Sequence, residues 1–184
     1  AQTMAWMYDT YTMMHPGEAN LPVVTGKPVA LGGLAARSGA TAQGGFWVLD
    51  HYLEMGGLPG LGSIDGARIA IQGFGNAGRH AARLLHDAGA LIVGLSDTGG
   101  GIYNRSGLDP GLVGRHKDAT GSVAGAASSE PLDPAEVLEV ECDILVPAAI
   151  ECQIGAHNAA RVKAGLILEL ANGPLTPAAD DILM

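Results

Sequence analysis

The sequence predicts an α/β fold built on a doubly wound parallel sheet, and three observations carry that reading. Short apolar runs of strand length, Arg68–Gln72, Leu91–Leu95, Asp143–Val146 and Leu166–Leu170, are separated by stretches of helical periodicity. Strands that alternate with helices are joined by crossovers, which sets the strands parallel and covers both faces of the sheet. The first run breaks directly into Gly73-x-Gly75-x-x-Gly78 and then into a helical pattern from about Asn76 to Ala88. The second run ends in Ser96-Asp97, which puts an acid 19 residues after Gly78.

This strand–turn–helix context makes the glycine pattern a dinucleotide fingerprint of the Rossmann type rather than a chance turn in a chain with 28 glycines. Gly73 permits the tight turn, Gly75 lets the backbone approach a pyrophosphate, and Gly78 lets helix and strand pack closely. Phe74, Asn76 and Ala77 complete the turn. The N–H groups and dipole at the helix start attract phosphate. A carboxylate at Asp97, at the tip of the second strand, is placed to meet ribose hydroxyls. The plainer alternative is that Asp97 only starts the turn Asp97-Thr-Gly-Gly-Gly101.

The remaining elements follow in order. Gln2 to Met14 has helical spacing, with Met4, Trp6, Met7, Tyr11 and Met14 at threes and fours, and His15-Pro-Gly17 ends it. That Met and aromatic face is a packing face whose neighbour is not evident. Leu21 to Gly33 is irregular, broken by Pro22, Gly26, Pro28 and Gly32-Gly33. A second helix is expected from Ser38 or Thr41 to Met55, then a Gly-Pro loop before the fingerprint strand. After Asp97 a loop is expected over 99–104, and a helix from about Asp109 to Ala119. Asp133-Pro134-x-Glu136 signals a helix start. A helix from about Ala156 to Lys163 separates the last two strands, and Thr176-Pro177 opens a final helix.

Composition narrows the chemistry. A net charge of −9 with three lysines and no basic cluster excludes a nucleic-acid partner. The longest apolar run falls far short of a membrane span and no charged-then-apolar leader opens the chain, so no membrane partner is expected. Cys142 and Cys152 lack CxxC spacing, which fits a reducing cytoplasm, and Cys142 is expected in the core. The six histidines are scattered, so no metal site is expected. No Gly-x-Ser-x-Gly elbow marks a nucleophile, and Glu136, Glu139 and Glu141 are expected to face solvent.

Six stretches resemble the cofactor domain of hexameric glutamate dehydrogenases, in the Glu/Leu/Phe/Val dehydrogenase family. They are Met4-Ala-Trp-Met7 with Asp9-Thr-Tyr11, Val24–Gly33, Ala70–Asn76, Gly100-Gly-Ile-Tyr-Asn104, Cys142–Ala149 and Ala171-Asn-Gly-Pro174. The resemblance covers nearly the whole chain in the family's order. It implies a dinucleotide-binding domain over 1–184, with 1–20 a linking helix, belonging to a larger two-domain enzyme that oxidatively deaminates L-glutamate to 2-oxoglutarate and ammonia. It implies NAD, with NADP possible, as cofactor. Thr41 and Asn172 would lie at the nicotinamide, and Ala148 and Ala149 on the adenosine side. The family's catalytic Lys and Asp match nothing here, since they belong to a substrate domain outside this chain, so the chain alone is expected to be inactive. The full-length enzyme would be a homo-hexamer, and the chain alone is expected to self-associate.

Some positions depart from the family pattern. Leu34-Ala-Ala-Arg37 replaces Ser-x-Gly-Arg, Ala40-Thr-Ala-Gln-Gly44 replaces Ala-Thr-Gly-Arg-Gly, and Cys152 and Gly155 stand where Asn or Gly and Thr are usual. These departures keep a non-catalytic nucleotide-binding module open as an alternative, and a leucine- or valine-type dehydrogenase stays open because the side-chain pocket that decides between substrates belongs to the other domain. The four residues after Asp97 contain no cation. An acid without a nearby cation opposes a 2′-phosphate, so NAD is expected to bind tighter than NADP by about 1–3 kcal/mol.

Overall fold

The computed structural model describes all of residues 1–184 and divides into two compact units, Ala1–Ala40 and Thr41–Met184. In the first unit, helix α1 (Gln2–Met14) is followed by single 3-10 turns at Leu21–Val23, Val29–Leu31 and Ala35–Ser38. Lys27 pins this irregular stretch by donating to the Leu21 and Val24 carbonyls at 2.8 and 2.6 Å.

The second unit starts on helix α2 (Ala40–Glu54), then runs β1 (Arg68–Gln72), α3 (Asn76–Asp87), β2 (Leu91–Asp97), β3 (Gly100–Leu108) and α4 (Pro110–Thr120). It closes with β4 (Glu130–Leu132), β5 (Ile144–Pro147), β6 (Leu166–Ile167) and α5 (Pro177–Leu183). The six strands form one sheet in the order β4-β3-β2-β1-β5-β6. β1 runs parallel to both β2 and β5, and β5 parallel to β6. The fold is thus the expected doubly wound Rossmann-type α/β arrangement.

Alternation along β1 and β5, with an irregularity in β2 between Ile92 and Gly94, separates two cores. Ile69, Ile71, Ile92, Leu95, Ile144 and Val146 pack with Leu49 and Leu53 of α2, Ala81, Ala82 and Leu85 of α3, and Val113 of α4. On the opposite face Ala70, Val93 and Leu145 meet Val137, Leu138, Ile154 and Ala179. Burying each large aliphatic side chain contributes about 1.5–3 kcal/mol, so both faces hold the sheet in place.

Four expectations need correction. The loop expected after Asp97 is strand β3, antiparallel to β2 and β4, so the parallel sheet carries an antiparallel edge. The helix signalled at Asp133 shrinks to a 3-10 turn, Glu136–Glu139, although Glu136 does accept from the Asp133 N–H at 3.3 Å. The helix expected over 156–163 is a 3-10 turn at Ala159–Arg161. There the buried Asn158 amide accepts from the Gly155 N–H and donates to the Gln153 carbonyl, a local alternative to helical bonding. The last strand pairs only at Leu166–Ile167. No helix is long and apolar enough to cross a membrane, and no cluster of His, Cys, Asp and Glu could hold a metal ion.

Candidate dinucleotide site

A cavity of about 680 Å³ opens at the C-terminal ends of β1, β2 and β5, where the chain leaves β1 for neighbours on opposite sides. Open α/β sheets bind their ligands at such a switch point. Of the residues expected to hold a cofactor, Gly73, Phe74, Gly75, Asn76, Asp97, Ala148 and Ala149 line it. Ala77 and Gly78 lie just behind, in the first turn of α3.

Each glycine has its own geometric reason. Gly73 takes φ +93 and passes so close to Ala149 that a Cβ would sit 2.9 Å from its backbone. A Cβ on Gly78 would overlap the Gly73 carbonyl oxygen, so this residue lets α3 pack against the turn. Gly75 differs, because a Cβ there would meet nothing within 4 Å. It caps α3 without a side chain, whereas Asp109 and Thr176 cap α4 and α5 with theirs. The fingerprint helix therefore starts on an open cradle of backbone, and no carboxylate in its first turn competes for the positive end of the dipole. Phe74 anchors the turn with a fully buried ring.

Asp97 lies in the cavity wall, but its carboxylate is already engaged. One oxygen accepts from the Gly99 N–H at 2.9 Å and the Ser122 hydroxyl at 2.8 Å. The other accepts from Lys117 Nζ at 2.7 Å and the Val123 N–H at 2.9 Å. Burial by itself would raise the pKa of this carboxyl, but the Lys117 ammonium and the other three donors outweigh it and hold the pKa below the ordinary aspartate value. A cation does therefore stand beside Asp97, and the expectation that none was near holds along the chain but not in space.

At the floor, Gln72 lies on the same sheet face as Ala70 and donates from Nε2 to Gln153 Oε1 at 2.8 Å, while Gln153 Nε2 donates to the Glu151 carbonyl at 3.1 Å. This relay fixes both amides and leaves Gln72 Oε1 buried with no donor. Sequence reasoning passed over Gln72, Lys117 and Gln153. It treated Asp133-Pro134-Ala135, which also lines the cavity, only as a helix start. Thr41 and Asn172 are exposed and outside the lining. They belong to adjacent segments, since Gly45 of α2 packs against the Leu168 and Leu170 side chains. Cys142 is buried as expected, and desolvation raises its thiol pKa to about 11, so it stays protonated and inert.

The family model for glutamate/leucine/phenylalanine/valine dehydrogenases matches residues 32–184. The chain belongs to this dehydrogenase family. A cryptic catabolic NAD-specific glutamate dehydrogenase of Bacillus subtilis is 43% identical over the whole chain. An NADP-specific glutamate dehydrogenase of Saccharolobus shibatae is 42% identical over 99% of the chain. The hetero-hexameric glutamate dehydrogenase of Thermus thermophilus, in a leucine-bound form, superposes over 99% of the chain with a TM-score of 0.87 at 37% identity. The chain spans 42% of the length of each of these three family members.

Proposed function

We propose that residues 1–184 form the NAD(P)-binding domain of an amino-acid dehydrogenase whose substrate is L-glutamate. The open cradle at Gly75, set at the switch point between β1, β2 and β5, carries this reading. When bound, the dinucleotide would supply the acceptor for a hydride from the amino acid's alpha carbon. The chain's own residues hold and orient it. The turn from Gly73 to Gly78 receives the pyrophosphate, and Ala148 and Ala149 line the adenosine side. Thr41 and Asn172 border the nicotinamide end. Asp97 acts through its bonded pair with Lys117, shaping the ribose wall rather than offering free lone pairs.

The family resemblance assigns catalytic Lys and Asp residues to a substrate domain, and no residue of this chain takes their place. Support for a larger enzyme comes from the family members, all of which are more than twice as long as this chain. Hexameric assembly of the full-length enzyme is part of the same proposal and draws on the hexameric Thermus relative. Calorimetric titration of the 184-residue chain with NAD and with ADP should give one site of micromolar to millimolar affinity. Glutamate-dependent NADH production should stay at the buffer level. Heatless titrations with both nucleotides would reject the binding role, and turnover by the chain alone would reject the assignment of catalysis to another domain.

A further inference from the structure

Two local costs meet at the floor of the cavity. Gln72 is only 7% exposed and its Oε1 has no donor. Gln153 Nε2 is held by the Glu151 carbonyl, so Gln153 presents Oε1 and Gln72 must answer with Nε2. Turning the Gln72 amide would set two acceptors against each other, so the orphan is built into the pair. Next to Gln153, Cys152 sits at φ +55, a left-handed conformation that a residue with a Cβ adopts at a cost. Features of this kind persist only where the surrounding structure over-determines them. Here that structure runs to the Ala171–Pro174 stretch. The Cys152 N–H donates to the Gly173 carbonyl and the Ile154 N–H to the Pro174 carbonyl, each at 2.9 Å, and the Thr176 N–H returns to the Ile154 carbonyl at 2.9 Å. On the other flank the Ala171 N–H bonds the Pro147 carbonyl of β5 at 3.0 Å. Asn172 therefore stands between two anchored neighbours. The anchor at Ala171 is backbone alone. The anchor at Gly173 reaches β1 through the side-chain pair Gln153–Gln72, and Gly73 of the fingerprint turn follows Gln72 directly.

We propose that Gln72 is a positioning residue for the nicotinamide end: through Gln153 it holds Gly173, and with it Asn172, in register with the turn that receives the pyrophosphate. The inference rests on the dinucleotide reading and adds to it a strut between the two ends of the cofactor. A ring that accepts hydride has to be held to a fraction of an ångström, whereas the phosphates need only the turn and its N–H groups. Two apolar side chains at 72 and 153 would leave no orphan acceptor and would hold nothing in register. Keeping the amide pair gives up stability for a directional bond, because a buried acceptor without a donor is costly and a hydrogen bond fixes geometry.

Titrating the 184-residue chain with NADH and with ADP separates this inference from the reading beneath it, since NADH emission reports the surroundings of the reduced ring and ADP has no such ring. Emission should rise when NADH binds the parent chain. Gln72→Met removes the pair and the orphan together. It should lose at least half of that rise while ADP affinity shifts by less than threefold and the melting temperature does not fall. Gln153→Met should lose the rise in the same way. Gln153→Glu still offers an acceptor to Gln72 Nε2 and should keep it. Gln153 is only half-buried, so its two variants test the strut even where Gln72→Met fails to fold. An undiminished rise in Gln72→Met, or equal losses in Gln153→Glu and Gln153→Met, would overturn the strut. A Gln72→Met protein that lost ADP affinity and melting temperature together would make Gln72 a support of the fold alone, which overturns it too. ADP binding by the parent with no rise from NADH would do the same while leaving nucleotide binding intact. A parent chain that bound neither ligand would overturn both readings.

Discussion

At the scale of single residues, the Asp97–Lys117 pair decides most about this cavity and was least visible in the chain. Asp97 itself was legible, as an acid closing the second strand. Its partner was not, because the nineteen intervening residues fold out through β3 and bring α4 back over the strand tip. Proximity along the sequence gave no hint of it. The Asp97 side chain is 5% exposed and that of Lys117 23%, so removing one charge strands the other in a poorly solvated site. Asp97→Asn is therefore expected to destabilise the fold by about 2–4 kcal/mol, the usual result of breaking a buried, hydrogen-bonded pair. The carboxyl pKa is lower folded than unfolded, so the folded state binds its proton more weakly. The pair's contribution is thus complete above the ordinary aspartate pKa of about 3.9 and is lost as pH falls through the lower folded value. Melting temperatures of the two proteins should differ most at neutral pH and converge in acid. A gap that persisted unchanged below about pH 3 would show that the carboxylate charge is not what stabilises the site.

At the scale of elements, α1 to α4 and strands β1, β2 and β5 were legible from their hydrophobic period, and α4 from its Asp109 cap as well. Arg68–Gln72 became β1 without change, and Asp109-Pro110 opened α4 with the Asp109 carboxylate accepting from the Gly111 and Leu112 N–H groups. β3 was hidden because it begins with two glycines, Gly100 and Gly101, which read as a turn. What makes them a strand is pairing with β2 on one side and β4 on the other, information absent from local propensity. The fingerprint turn offers a test of which glycines serve folding and which serve the ligand. Gly78→Ala would drive its Cβ into the Gly73 carbonyl and should destabilise the chain by about 1–3 kcal/mol, the common cost of overpacking. Gly75→Ala meets open space at φ −87, so its melting temperature should match that of the parent chain within a degree or two. Its added methyl group occupies the cradle instead, and NAD affinity should fall at least tenfold. Unaltered NAD binding by a stably folded Gly75→Ala protein would remove the cradle from the site.

At the scale of the whole molecule, the balance between apolar surface and net charge governs behaviour in solution. The Met and aromatic face read from the sequence is open in the first unit. There Trp6 is 64% and Met14 72% exposed, and Trp6, Met7, Tyr11, Met14, Val23 and Val24 border a shallow groove. On α2, in the second unit, Trp47, Val48 and Met55 are each about two-thirds exposed. Apolar patches of this kind usually mark surfaces that associate with a partner. Against association stands the net charge of −9, which makes like copies repel at long range. Salt discriminates between the two forces, because the screening length shortens from about 14 Å at 0.05 M to about 4 Å at 0.5 M while apolar contact is left intact. The chain is therefore expected to self-associate as its concentration rises from micromolar to millimolar, and more strongly at the higher salt. Trp6→Ser should weaken this association through the α1 face, and Trp47→Ser through the α2 face. Sedimentation velocity on the parent chain and the two variants reads all of these outcomes. A monomer at every concentration and salt would show that neither apolar face drives assembly, and association that weakened with salt would assign it to charge contacts instead.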